Sequence, residues 1–394
     1  MSEKIKIGVF GGRRGLSLLA AAQAHPECVV TAVCDMWEPF LEDCRKFAEA
    51  KNMKISLHKD FESFFQEDMD AVILANYANE HAPYAIRCLN SGRHVLSELL
   101  PVQTMAEAVA LVEAVEKSGK VYGFAENCCY MRHAMEMKKY YRQGMLGEFL
   151  HGEGEYVHNC MPIWERLTRN DPNHWRNRMY STFYCTHSLG PILTITGTRP
   201  VRVVGFENFN PGYLKEGNCM MAVSGMLAIQ MDNGATVKNL NGFLKREPAI
   251  HWYTLYGTKG FMENERIGDE NRIYIQFDDD ESTKEIKTYI PEQTIQNETG
   301  HGGADYYAVH YFLQRILGTE DGKEMIDVYT ALDMFLPGLL GYRSILNGNI
   351  PYEIPDFRDK EKSAALREKY RNDHACTDPK VAKDQLLPVN SRMG

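Results

Sequence analysis

The turn joining the first two elements constrains this chain more than any other feature. Ile5-Lys6-Ile7-Gly8-Val9-Phe10 has the apolar, β-branched character of a buried strand, and Leu16-Ser17-Leu18-Leu19-Ala20-Ala21-Ala22 reads as a helix. Between them stands Gly11-Gly12-Arg13-Arg14-Gly15. Such a turn lets the backbone approach a pyrophosphate, whose charge the helix-terminal N–H groups stabilise. The spacing is one residue short of G-x-G-x-x-G. Gly12 and Gly15 fit the second and third places, Phe10 stands at the first, and Gly11 is expected to supply the tight turn. The second strand, Val29-Val30-Thr31-Ala32-Val33-Cys34-Asp35, ends in an acid. A carboxylate there accepts hydrogen bonds from the adenosine ribose and repels a 2′-phosphate, so NAD is expected over NADP. A simple strand-end cap is the competing reading of Asp35.

The alternation continues. Glu38 to Lys51 reads as a helix, Ala71-Val72-Ile73-Leu74-Ala75 as a buried strand, and Tyr84 to Asn90 as a helix closed by Gly92. His94 to Glu98, Met105 to Lys117 and Val121 to Phe124 complete a strand, a helix and a strand. Apolar strands alternating with helices imply a doubly wound α/β domain with a parallel sheet, assigned to residues 1–123. The carboxyl ends of its strands line the ligand crevice, which places Asn79, His81 and Glu98 toward the nicotinamide half. From about residue 124 strand-like runs dominate: Glu148 to Val157, Val201 to Phe209, Met220 to Met231, Ala235 to Leu244, Trp252 to Tyr256 and Arg272 to Phe277. Two helical stretches follow, Asp305 to Leu317 and Val328 to Leu346. Residues 124–358 are therefore expected to form an α+β domain with an open, mostly antiparallel sheet. Residues 359–394 read as a charged tail, with its irregular end an arm for a neighbouring subunit.

Composition removes several function classes. A formal net charge of -9 and no basic stripe argue against nucleic acid as a partner. No apolar run approaches the ~20 residues of a membrane helix, and Met1 leads almost directly into a strand, as expected of a cytoplasmic protein. The ten cysteines include no Cys-x-x-Cys, and Cys128-Cys129 are adjacent, so neither zinc nor disulfides are expected. His158, His174, His187, His301 and Asp305 show no metal-binding helical spacing, so no catalytic metal is expected. The run Asp278-Asp279-Asp280-Glu281 reads as a solvated turn.

With these residues in place, the chain resembles the Gfo/Idh/MocA oxidoreductases, which join a Rossmann domain to a C-terminal open-sheet domain with a sugar or cyclitol between. Members acting as simple dehydrogenases carry Glu-Lys-Pro after the fifth strand, whereas this chain has Glu98-Leu99-Leu100-Pro101 and lacks the lysine. The altered positions are similar to the branch of glycoside hydrolase family 109. They are Glu126-Asn127-Cys128-Cys129-Tyr130, Gly154-Glu155-Tyr156-Val157-His158, Trp175-Arg176, Tyr184-Cys185-Thr186-His187-Ser188-Leu189-Gly190-Pro191, His301-Gly302-Gly303-Ala304-Asp305 and Pro355-Asp356-Phe357. The shortened glycine turn and Cys185 depart from the usual pattern.

The resemblance implies a glycosidase that uses NAD to oxidise a sugar transiently at C3. Deprotonation at C2, elimination of the aglycone, water addition and re-reduction would follow. Tyrosines and histidines, rather than the paired carboxylates of acid hydrolysis, suit that route. It implies proton transfer by Tyr130 and His187 with Tyr184 assisting, and cofactor contacts from Asn127, Trp175 and Arg176 beside Gly11 to Gly15. Tyr156, His158, His301 and Asp305 would touch the carbohydrate, and a dimer or tetramer is expected. An arginine stacked on Trp175 for packing alone is the competing reading of Arg176. Two other functions stay open: a plain NAD-dependent sugar or inositol dehydrogenase, against which the missing lysine counts, and a non-catalytic sugar or NAD sensor, against which Tyr130 and His187 count.

Overall fold

The computed structural model describes residues 3–269, 271–278, 284–287 and 299–375. Six parallel strands form the first sheet: β1 (Ile5–Phe10), β2 (Cys28–Cys34), β3 (Ser56–His58), β4 (Ala71–Leu74), β5 (His94–Ser97) and β6 (Tyr122–Phe124). Their order is β3-β2-β1-β4-β5-β6, reversing direction between β1 and β4. That reversal opens a crevice at the carboxyl ends, where Gly11, Asp35, Asn76 and Glu98 all fall. The strands are buried on both faces because helices Gly12–Ala24, Glu38–Ala50, His81–Asn90 and Met105–Ser118 cover them. Thr104 caps the last of these, its Oγ1 accepting from the Glu107 N–H while the Glu107 carboxylate accepts from the Gln103 N–H.

The second sheet has nine strands in the order β14-β13-β12-β11-β7-β10-β9-β8-β15. Its members are β7 (Phe149–Val157), β8 (Pro200–Glu207), β9 (Ser224–Met231), β10 (Thr236–Gly242), β11 (Ile250–Gly257), β12 (Gly260–Asn264), β13 (Arg272–Phe277), β14 (Lys284–Lys287) and β15 (Tyr352–Glu353). Only β7 and β10 pair in parallel; the other neighbours are antiparallel. The expected open, mostly antiparallel sheet is thus present, and β12 is the principal strand that periodicity did not isolate.

Helix Cys185–Thr196 packs flat on this sheet. Gly190-Pro191 reads locally as a breaker, yet the helix runs through both, because its residues are almost all buried and packing overrides propensity. Gly154 makes the contact possible: a Cβ there would meet the Ser188 carbonyl oxygen at 1.8 Å.

Downstream, helix Ala364–Tyr370 lies against Met105–Ser118 of the first lobe, where the buried Arg367 donates to both Glu116 oxygens at 2.8 Å. The first part of the expected tail is therefore docked. The arm expected of the polar end lies in residues 376–394, outside the described residues, as do Asp279, Asp280 and Glu281. Among the described residues, nine cysteines are free and buried, and no helix is long and apolar enough to cross a membrane.

Candidate active site between the lobes

The first lobe supplies a rim made mostly of backbone. Gly11 sits at φ 104°, and a Cβ on it would meet the carbonyl carbon and oxygen of Ala75 at 2.3 Å, so only glycine fits. Gly15 lets the first helix settle on β1, where a Cβ would meet Val9 Cγ1 at 2.7 Å. The Gly12 N–H donates to Asp35 Oδ2 at 2.6 Å and the Trp37 N–H to Asp35 Oδ1 at 2.8 Å. Burial raises the Asp35 carboxyl, and these two donors pull it back only in part. Asp35 is both the expected strand-end acid and a cap for its own loop. Glycines without room for side chains, a helix N-terminus and an acid at the end of β2 fit a dinucleotide.

Side chains of the second lobe make the opposite wall of a groove of about 410 Å³. Arg13, Arg14, His81, Glu98 and Asn127 face Tyr156, His158, Trp175, Arg176, Tyr184, His187 and His301 across it. His187 lies in the first turn of the Cys185–Thr196 helix. Its Nδ1 is 2.8 Å from Glu126 Oε1 and 3.3 Å from Cys128 Sγ, and Tyr253 donates its hydroxyl to the His187 carbonyl at 2.7 Å. Burial would raise the fully buried Glu126 carboxyl, but His187 and the surrounding hydrogen bonds outweigh it, leaving it below its ordinary value. An ionised Glu126 holds the Nδ1 hydrogen and leaves Nε2 as the basic nitrogen. Glu126, Cys128 and His187 also meet the spacing of a metal triad. The 2.8 Å nitrogen–oxygen contact is also that of a charge-assisted hydrogen bond.

Around this pair stand two tyrosines. Tyr184 lies nearly parallel to His187, with ring centres 5.8 Å apart, and accepts from Arg176 Nη1 at 2.5 Å. Burial raises its phenol, and Arg176 offsets this only in part, so the hydroxyl stays protonated near neutrality. Tyr156 packs its ring 4.5 Å from His187 and meets His158 Nδ1 at 3.2 Å. Burial and neighbouring His251 lower His158, which is therefore neutral. Arg176 does stack on Trp175 at 4.5 Å, and it also lines the groove.

Comparison with known proteins supports both halves. Residues 5–126 match the model described as "Oxidoreductase family, NAD-binding Rossmann fold", of the Gfo/Idh/MocA type, and residues 225–363 match "Glycosyl hydrolase 109, C-terminal domain". The chain is thus matched in its first part by a Gfo/Idh/MocA NAD-binding model and in its second by a glycosyl hydrolase 109 C-terminal model. It is 24% identical to a glycosyl hydrolase family 109 protein of Bacteroides thetaiotaomicron, over 90% of this chain and 85% of that one. A family 109 protein of Streptomyces coelicolor is 26% identical, over 90% and 83%. In fold, the chain is similar to an inositol dehydrogenase homolog of Azotobacter vinelandii solved with NADH and myo-inositol, with a TM-score of 0.71, 15% identity and coverage of 90% and 98%.

Three of the expected site residues stand off the groove. Tyr130 is off the groove: its hydroxyl donates to the Glu324 carbonyl at 3.2 Å and accepts from the Ile326 N–H at 3.3 Å. Packing against the 324–326 segment turns it away, and no proton transfer is assigned to it. Asn79 is buried in the turn after β4 and off the groove, whose wall carries Asn76 instead. Asp305 is completely buried and accepts both Arg14 Nη1 and Nη2, at 2.7 and 2.8 Å, while Arg14 also meets Glu98 at 2.6 Å. His301 Nδ1 joins this network, 3.2 Å from Asp305. Asp305 thus ties the two lobes together from behind the groove through Arg14, in place of the substrate contact expected of it, while Arg14 itself stays on the groove wall.

The residue that sequence reasoning passed over is Glu126. It opens one of the motifs and stands two residues past the end of β6, at the carboxyl end of the sheet where ligand-facing residues gather. That position was the available signal.

Proposed function

We propose that this chain is an NAD-dependent glycosidase that cleaves a glycoside through transient oxidation at C3, deprotonation at C2, loss of the aglycone, water addition and re-reduction. The observation that carries the reading is His187 on the groove wall with the buried Glu126 hydrogen-bonded behind it. NAD, when bound, supplies a reversible two-electron oxidation of a ring carbinol, and Gly11, Gly12, Gly15 and Asp35 would hold it.

A carbonyl at C3 acidifies the neighbouring C2–H. His187 offers Nε2 to remove that proton, and the anionic Glu126 stabilises the imidazolium that forms. Tyr184 accepts from Arg176, which leaves its phenolic hydrogen for a substrate oxygen. Direct displacement needs two carboxylates flanking the bond. Among the described residues that line this groove Glu98 is the one acid, and Arg14 already holds it.

The second reading, a plain sugar or inositol dehydrogenase, shares the fold. Leu99, an apolar residue, lines the groove at the Glu98-Leu99-Leu100-Pro101 segment that lacks the dehydrogenase lysine. A panel of nitrophenyl glycosides, assayed with NAD⁺ far below substrate, separates the two. Many turnovers per NAD⁺ without NADH accumulation support the glycosidase. NADH formed one-for-one with product overturns it.

A further inference from the structure

Beyond the catalytic wall, the second lobe reaches over the adenosine end of the crevice. Helix Trp164–Thr168 is followed by Arg169 and Asn170, which take up left-handed backbone at φ 56° and 54°. Two successive non-glycine residues there are uncommon and mark a reversal that surrounding contacts must hold in place. The reversal throws the Arg169 guanidinium back across the first lobe, 4.9 Å from the centre of the Trp37 ring and 5.5 Å from that of Tyr77. Those aromatics follow β2 and β4, one on each side of the topological switch. Arg169 also lines the same cavity as Gly11, Asp35 and Met36.

The charge around it is unbalanced. Arg13 donates to the Arg166 carbonyl at 2.9 Å, and among the described residues no carboxylate pairs with Arg13, Arg166, Arg169 or Arg176. Burial and then the other three guanidiniums depress Arg13. Asp35 and Asp43 line the cavities beside it; Asp35 is drawn down in part by the Arg169 charge, and its oxygens already accept the Gly12 and Trp37 N–H groups.

We propose that Arg169 is a binding residue for the adenosine diphosphate half of the dinucleotide, carried by the second lobe to stack on the adenine and add positive charge beside the pyrophosphate. A planar guanidinium already resting on two aromatic faces can rest on a third, and a dianionic ligand would relieve the Arg13–Arg169 repulsion. The proposal depends on the NAD-binding domain and not on the glycosidase reading, so the two can fail separately.

The test is titration of NAD⁺, ADP-ribose and nicotinamide mononucleotide into the full chain, followed by tryptophan fluorescence and calorimetry. Arg169→Ala should weaken NAD⁺ and ADP-ribose by about tenfold each, with faster dissociation of both, and leave nicotinamide mononucleotide unchanged. Arg169→Lys, which keeps the charge but loses the planar face, should fall between the two. Unchanged affinity of Arg169→Ala for ADP-ribose would overturn the proposal. The unmodified chain gives a separate reading: its affinity for ADP-ribose should fall steeply from low to high salt, and a flat response would also contradict it.

Discussion

The two walls of the groove are built on different principles. The first-lobe rim is a backbone device, in which Gly11, Gly12 and Gly15 leave room and Asp35 organises N–H groups. The second-lobe wall depends on pairs of side chains distant in sequence: Glu126 with His187, Arg176 with Tyr184, Tyr156 with His158. A rim of the first kind tolerates no added atom, whereas a wall of the second kind fails when one partner loses its charge or its hydrogen. Substitutions on the two sides should therefore fail differently, one through binding and folding, the other through turnover.

The largest expected effect is on the second wall. His187→Ala should lower kcat/KM by about 10³-fold while NAD⁺ affinity by calorimetry is kept, since general base catalysis is worth that order. Turnover close to the parent's would remove the proton-transfer assignment. Gly11→Ala should do the reverse, abolishing measurable NAD⁺ binding and costing about 3 kcal/mol in urea unfolding, because its Cβ would strike the Ala75 carbonyl and the left-handed φ is closed to alanine. Wild-type NAD⁺ affinity in this variant would show that the rim is not the constraint described.

The Arg14–Asp305 pair joins the lobes. Burial opposes the Asp305 charge, yet His301 and Arg14 outweigh it and hold the carboxyl below its ordinary value. A depressed folded-state pKa adds stability that is present above the unfolded value near 4 and is lost as pH falls toward the lower folded one. Asp305→Asn should therefore cost about 3 kcal/mol at pH 7, with the gap to wild type closing below about pH 4. A pH-independent gap would mean that the ion pair is not its source. The smallest effect belongs to Tyr130→Phe: roughly 1 kcal/mol of stability from the Glu324 and Ile326 contacts, with kcat within about threefold. A collapse of kcat at unchanged stability would return Tyr130 to the chemistry.

The same contrast governs what the sequence made legible. Local devices announce themselves: strand periodicity, a glycine turn and a strand-end acid mark Gly11, Gly12, Gly15 and Asp35 in the sequence alone. The open sheet was legible through alternation along β7, β8, β9, β10, β11 and β13. The helix bearing His187 runs through Gly190-Pro191, and local propensity says nothing of how completely that helix is buried. Long-range pairing was hidden altogether. Arg14 and Asp305 lie far apart in sequence and each was read as a ligand contact, while Tyr130 looked free until the 324–326 segment claimed its hydroxyl. Glu126 went unassigned for the same reason: its meaning lies in His187, on another element.

The central claim is that a proton leaves C2 and returns from solvent within a turnover that leaves the cofactor unchanged overall. Hydrolysis of an accepted nitrophenyl glycoside in D₂O, followed by NMR of the released sugar, reads this directly. One deuterium at C2 with no net NADH is the expected result. A sugar carrying only protium at C2, or NADH rising in step with product, would contradict it.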